Sequence, residues 1–322
     1  MKPDITSTLL ASALLAAGLV GTGLAGAAQD AALPNLPLPT IGGKQLWSDV
    51  RWRSGWRVQR HAWTGHHRLL DDKNVRRAWG GLPACEVELE RRAPTPQDRE
   101  APGEDRRLVI LLHGLGRSRE SMSALARSLE SAGHATANLS YASTRGDLRA
   151  HADGLSELIE HLTGVDRISF VTHSLGGLVV RELLGREASW TERVSIERLV
   201  MIGPPSRGSA LAQFLSERRA FQWVAGTSAV EMARPNGPRV PEPPTGLPVL
   251  VVAGSRGTPH GYNPLIAGDD DGIVGVEETR LEREHEHLVV RGLHTFLMTR
   301  PEVVQAVNAF LDPGRERRAP NR

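Results

Sequence analysis

Short apolar runs alternate with segments whose apolar residues recur every three or four positions, and this alternation occupies the chain from residue 107 to residue 313. The runs Leu108 to Leu112, Ala135 to Tyr141, Ile168 to Val171, Arg198 to Gly203, Leu247 to Gly254 and Leu288 to Leu293 have the length and aliphatic content of buried strands. Helical spacing appears between them. Met122, Leu125 and Leu129 share a face within Ser118 to Gly133, and Leu155, Leu158, Ile159 and Leu162 share one within Asp147 to Leu162. Further helices are predicted from Gly176 onward and over Pro301 to Leu311. Strand and helix in alternation predict an α/β domain with a mostly parallel sheet, right-handed crossovers and helices on both faces.

One junction carries chemistry. The strand ending Phe170-Val171 runs into Thr172-His173-Ser174-Leu175-Gly176 and then directly into an apolar helix. This matches the strand-turn-helix pattern G-x-S-x-G with Thr172 in place of the first glycine. A sharp, strained turn lifts the serine hydroxyl off the sheet and aims a helix N-terminus at it, which favours negative charge developing there. With this junction the stretch Arg107 to Pro313 resembles the α/β-hydrolase family, its lipase, esterase and acyl-thioesterase branches in particular.

The resemblance implies a Ser-Asp-His triad. Ser174 is the nucleophile, and Asp271 in Gly268-Asp269-Asp270-Asp271-Gly272-Ile273-Val274 matches the D-G-x-V stretch of the family's acid, with Asp270 the alternative if the register slips by one. His294, after the last strand, completes the order Ser, Asp, His. His113-Gly114-Leu115-Gly116 follows the first strand, where the family places an oxyanion loop, so the implied oxyanion donors are the N–H groups of Leu115 and Leu175. His113, Gly114, Ser143 and Trp223 are the implied substrate contacts. The triad needs no metal or organic cofactor. The rival reading of the three aspartates is a calcium loop, although a twelve-residue loop closed by a glutamate is missing. The resemblance implies hydrolysis of carboxylic or lipid esters; acyl-thioesters and acyl transfer are alternatives on the same triad, and a non-catalytic binding module is an alternative outside it.

Composition changes the picture at the N-terminus. Leu9 to Ala28 carries no charge and ends near Ala25-Gly26-Ala27, so residues 1–28 read as a secretory signal or an uncleaved membrane anchor of an exported protein. Residues 29–106 form an extension and linker, beginning with the proline-rich Ala31 to Thr40 and ending in the charged connector Arg91 to Arg107. Gly43 to Glu90 holds five of the seven tryptophans with arginines interleaved. It reads as a structural extension whose tryptophans stack on arginines, with a membrane-interface or partner surface and a nucleic-acid platform as competing readings. Formal net charge is only +2 and every arginine block carries acids, which argues against a nucleic-acid partner. The sole cysteine, Cys85, reads as a small buried hydrophobe. Residues 217–245 occupy the position of a lid, and residues 314–322 form a basic tail.

Overall fold

Val50 and Trp52 alternate with the polar Asp49, Arg51 and Arg53 as in a strand, and Ser54-Gly55 then turns the chain straight back. In the computed structural model, which describes residues 37–94, 106–211, 213, 228, 231 and 240–312, this segment is folded. β1 (Leu38–Pro39), β2 (Trp47–Arg53), β3 (Trp56–His61), β4 (His67–Leu70) and β5 (Val75–Gly80) form an antiparallel sheet in the order β1-β5-β4-β3-β2. The β2–β3 hairpin closes on two residues, Ser54 (φ 47°) and Gly55 (φ 87°), the doubly left-handed turn that matches strand twist. Helix α1 (Leu82–Arg92) covers this sheet, burying Cys85 and Leu89 against Val50, Val58 and Leu69. Burial pushes the Cys85 thiol up to about 11, so it behaves as an apolar filler. Arg51 welds the module to the rest of the chain, bonding Glu86 at 2.6 Å and Glu157 at 3.1 Å.

The alternating segments build the second sheet. β6 (Arg107–Leu112), β7 (Thr136–Leu139), β8 (Arg167–His173), β9 (Ser195–Ile202), β10 (Val249–Ser255) and β11 (Glu286–Arg291) lie in the order β11-β10-β9-β8-β6-β7, with every neighbouring pair parallel. Successive residues of a strand face opposite ways, so Ile168 and Phe170 enter one core while Val171 enters the other. Helices α3 (Leu148–Glu160) and α4 (Leu175–Leu184) cover the first face through Leu155, Leu158, Leu178 and Val179. Helices α2 (Ser123–Ser131) and α5 (Pro301–Leu311) cover the second through Leu125, Leu129, Val303 and Val307. Both layers are needed because a parallel sheet has no face to spare for water. Among the described residues no helix is long and apolar enough to cross a membrane. The expected leader (1–28), Trp223 with most of the lid segment, and the basic tail lie outside the described residues.

An aromatic stack joins the ends of β6 and β7. The His113 ring lies 4.4 Å from that of Tyr141, whose other neighbour is His151 at 5.0 Å, and the Tyr141 hydroxyl donates to the His113 carbonyl at 2.7 Å. His113 Nδ1 donates to the Gly114 carbonyl (2.9 Å) and Nε2 accepts from the Tyr141 N–H (3.4 Å), an arrangement that only a neutral ring satisfies. Burial pushes both His113 and His151 down to about 4.

Two stability outcomes are predicted. Phe170 is fully buried between the sheet and its helices, so Phe170→Ala should cost about 3–5 kcal/mol in urea unfolding; a loss under about 1 kcal/mol would contradict this packing. The pH prediction follows from the two histidines. Their folded pKa lies below the ordinary 6.5, so the unfolded chain gains protons first and stability falls as pH drops from 6.5 toward 4. At pH 5 each ring contributes about 2 kcal/mol to that loss. His113→Gln should therefore shrink the difference in unfolding free energy between pH 7 and pH 5 by about that amount, and an unchanged difference would refute the assignment.

Candidate active site

Ser174 stands between the last residue of β8 and the first of α4 with φ 52° and ψ −121°, a backbone geometry that few non-glycine residues adopt. Its N–H donates to the Ile202 carbonyl at 2.8 Å, and its own carbonyl accepts from Gly177 N–H at 3.0 Å. The turn closes because its neighbours are small. A Cβ on Gly176 would lie 2.8 Å from the Leu112 carbonyl oxygen. Gly177 leaves room for the Thr172 side chain, which a Cβ there would meet at 3.2 Å. Thr172, the departure from the glycine pattern, is buried and donates its hydroxyl to the Val200 carbonyl at 2.9 Å. A buried hydroxyl so partnered is accommodated where glycine was expected.

The structure brings Asp271 and His294 together. His294 Nδ1 lies 2.7 Å from Asp271 Oδ2, both side chains are buried, and the His294 N–H donates to the Asp271 carbonyl at 2.9 Å. With Nδ1 donating, Nε2 is left as the basic nitrogen. Asp271 Oδ1 is held by the N–H groups of Ile273 (3.0 Å) and Val274 (2.8 Å). Two glycines make the space: a Cβ on Gly254 of β10 would sit 2.6 Å from the Asp271 Cβ, and one on Gly203 would sit 3.0 Å from His294 Cε1. Asp270 takes a different part. Its carboxylate accepts N–H bonds from Tyr262, Asn263 and Gly272, while Asp269 accepts from Arg256 and Gly257. These oxygens thus organise the loop that presents Asp271. Among the described residues no group of three or more His, Cys, Asp or Glu side chains is placed to hold a metal ion.

The loop after β6 lies against the serine. A Cβ on Gly114 would come 3.0 Å from the Ser174 Cβ, and the turn Gly114-Leu115-Gly116-Arg117 is closed by Arg117 N–H on the Gly114 carbonyl, with Gly116 at φ 66°. Leu115 is central in that turn and Leu175 is the first residue of α4, where helix geometry leaves N–H groups without an intrahelical acceptor. Gly114 is thus brought to Ser174. His113 and Ser143 are not at the cleft, which corrects the expectation that they touch substrate. His113 is sealed in the aromatic stack beneath the loop. Ser143 is fully buried, its hydroxyl accepting from Gly116 N–H and donating to Gln45 Oε1, both at 3.0 Å. Trp223 lies outside the described residues.

Five further residues support the site without a clear signal in the sequence. His173 donates from Nε2 to the His294 carbonyl at 3.0 Å and is held neutral by burial and by the neighbouring His294. Glu278 accepts from Ala210 and Gly275 N–H, tying the loop after β9 to the Asp271 loop. From the N-terminal module come Gln45, Ser48 and Asp49, which bond the loop after β7. Histidine at 173 could have been found from its adjacency to Ser174; the other contacts join residues too distant in sequence to leave a local signal. The expected tryptophan-arginine stacking is present, with Arg68 3.9 Å from Trp47, Arg76 5.1 Å from Trp79 and Arg145 4.9 Å from Trp63.

Comparison with known proteins bears on the fold. A family model described as a domain of unknown function (DUF7379) matches residues 84–239. No curated protein matches the chain. Among solved structures, the mature form of Bacillus licheniformis lipase BlEst2 superposes with a TM-score of 0.50 at 16% identity, covering 66% of this chain and 94% of that one. The propeptide form gives 0.51 at 18% identity over 65% of this chain, which spans about half (51%) of that longer protein. Identities this low speak to architecture and leave the reaction to the site itself. Six parallel strands with helices on both faces, a strained serine turn after the central strand and a His-Asp pair on the loops that follow make this chain an α/β-hydrolase-fold protein.

Proposed function

We propose that the chain is a serine hydrolase that cleaves carboxylic esters through an acyl-enzyme on Ser174. The observation that carries the reading is the buried 2.7 Å bond from His294 to Asp271, on the same rim as a serine held in a strained turn. A serine hydroxyl is a poor nucleophile unaided, so a base with its second nitrogen fixed by a carboxylate is the feature a bystander site lacks.

In this mechanism Oγ of Ser174 attacks the ester carbonyl carbon as its proton passes to Nε2 of His294. Asp271 holds the imidazole in the useful tautomer and stabilises the imidazolium without taking its proton. The carbonyl oxygen becomes an oxyanion facing the N–H groups of Leu115 and Leu175, each worth roughly 3 kcal/mol of barrier. Collapse breaks the carbon–oxygen bond to the alcohol, which leaves with the proton from His294. Water then repeats the sequence on the acyl-enzyme, releasing the acid and restoring Ser174. The neutral, buried His173 supports the base by holding the His294 carbonyl. Its low pKa keeps a second positive charge away from the imidazolium that forms.

Exposed Ile273, Leu293 and Phe296 lie within two residues of Asp271 or His294 in the chain and supply apolar surface suited to an acyl chain. The fold's occurrence in a protein named a lipase is consistent with that substrate class. The uncharged leader at Leu9 to Ala28 supports an exported protein.

Turnover of p-nitrophenyl esters of graded acyl length tests the reading. Ser174→Ala should lower kcat by at least about 10⁴-fold with the circular dichroism spectrum unchanged. A folded Ser174→Ala variant that turns over ester at the wild-type rate would overturn it.

A further inference from the structure

The N-terminal sheet module bonds the loops after β6 and β7 through a short stretch, Gly42 to Asp49. Gly42, Gly43 and Lys44 all hold positive φ (76°, 100° and 43°), a run that a lysine rarely joins. The turn is tightly enclosed: a Cβ on Gly43 would lie 2.7 Å from the Trp47 Cβ and 2.9 Å from an Arg68 nitrogen, and Gln59 donates to the Gly42 carbonyl at 3.0 Å. Packing therefore fixes Gln45, the next residue, in place.

Four residues of the loop after β7 hydrogen-bond to this stretch. The Ser140 N–H donates to Asp49 Oδ2 (2.7 Å) while the Ser140 carbonyl accepts from Asp49 N–H (2.9 Å), and the Ala142 N–H donates to Ser48 Oγ (3.0 Å). Gln45 Oε1 accepts three bonds, from Ser143 Oγ (3.0 Å) and from the N–H and hydroxyl of Thr144 (3.1 Å each). Its other end, Nε2, donates to the Arg117 carbonyl. Ser143 Oγ in turn holds the Gly116 N–H. One amide side chain thereby grips both rim loops, and the two groups it fixes, Gly116 N–H and Arg117 carbonyl, immediately follow Leu115. Arg117 extends the chain of contacts by donating to the Thr295 carbonyl at 3.1 Å, beside His294.

We propose that Gln45 is a positioning residue for the oxyanion loop, so that the antiparallel module is a working part of the active site rather than a detachable appendage. The proposal rests on the ester-hydrolase reading for its catalytic consequence, while the brace itself has a separate readout. The physical reason for a remote brace is that oxyanion donors act only when they are already aimed at the charge as it forms. The turn Gly114 to Arg117 carries a left-handed glycine and is closed by the Arg117 N–H on the Gly114 carbonyl, and bonds from outside the turn restrain Gly116 and Arg117 further. Glutamine suits the task because an amide both accepts and donates, which neither a carboxylate nor an ammonium group does.

The test uses the full chain and the variants Gln45→Met, Ser143→Ala and their double. Hydrogen exchange by mass spectrometry follows peptides containing Gly116 and Thr144, and p-nitrophenyl butyrate gives kcat and KM. Gln45→Met should speed exchange in those two peptides and leave β8 and α4 protected. Its kcat should fall about 10- to 100-fold with KM within about twofold, and the double variant should be no slower than the slower single one. Unchanged exchange at Gly116 and Thr144 overturns the brace. Faster exchange with wild-type kcat, or loss of kcat together with protection throughout the chain, overturns the positioning role. Should the wild-type protein leave the ester intact, the ester reading fails and exchange at the two peptides still decides the brace. Ser143→Ala gives the same decision from the other end of the bond if Gln45→Met does not fold.

Discussion

The backbone of Ser174 is held where a serine does not go by choice. Its φ of 52° with ψ of −121° costs on the order of 1–3 kcal/mol, and the surrounding structure must over-determine it. That requirement accounts for much of the sequence nearby. β8 lies between β6 and β9 so that both ends of the turn are anchored, and the Ser174 N–H is fixed on the Ile202 carbonyl of β9. Gly176 and Gly177 remove the side chains that would meet Leu112 and Thr172. Phe170 and Val171, facing opposite cores, tie the strand to both helical layers so that the strain cannot relax by shifting the strand.

Around this fixed point the polar groups are arranged in a chain of supports. Asp269 and Asp270 spend their oxygens on backbone N–H groups of their own loop and so present Asp271, which holds His294, whose carbonyl is held by His173. Glu278 fastens the Asp271 loop to the loop after β9. Burial raises the Glu278 carboxyl pKa, opposed by the two N–H bonds it accepts. On the opposite side Gln45 and Asp49 fasten the loops after β6 and β7. Each rim loop is thus bonded to something other than itself, which matters because loops bear the chemistry while strands bear the rigidity.

Legibility in the sequence followed the range of the interactions. Parallel strands buried on both faces leave contiguous aliphatic runs, so β6, β8 and β10 could be placed from Leu108 to Leu112, Ile168 to Val171 and Leu247 to Gly254 nearly to the residue. Helix α5 was bounded by Pro301 at its first position. The serine turn and the His294–Asp271 pair could be placed because the local patterns around Ser174, Asp271 and His294 stand in order along the chain. The N-terminal sheet is less legible: Ser54-Gly55 is a hairpin signal, but the bulge between Asp49 and Arg51 breaks the period-two pattern of β2. Ser143 and His113 were placed in the cleft because they lie at strand ends on the correct rim. The sequence does not reveal that each side chain turns inward, one to Gln45 and one to Tyr141, because those partners are set by tertiary packing.

The central claim is that Ser174 is an activated nucleophile. A fluorophosphonate probe reacts with a serine only where a base takes its proton and donors stabilise the charge, so it reads the whole arrangement at once. Labelling of the purified protein followed by peptide mapping should place the adduct on Ser174, and His294→Ala should abolish it. Absence of labelling on a folded protein, or labelling that persists without His294, would contradict the account.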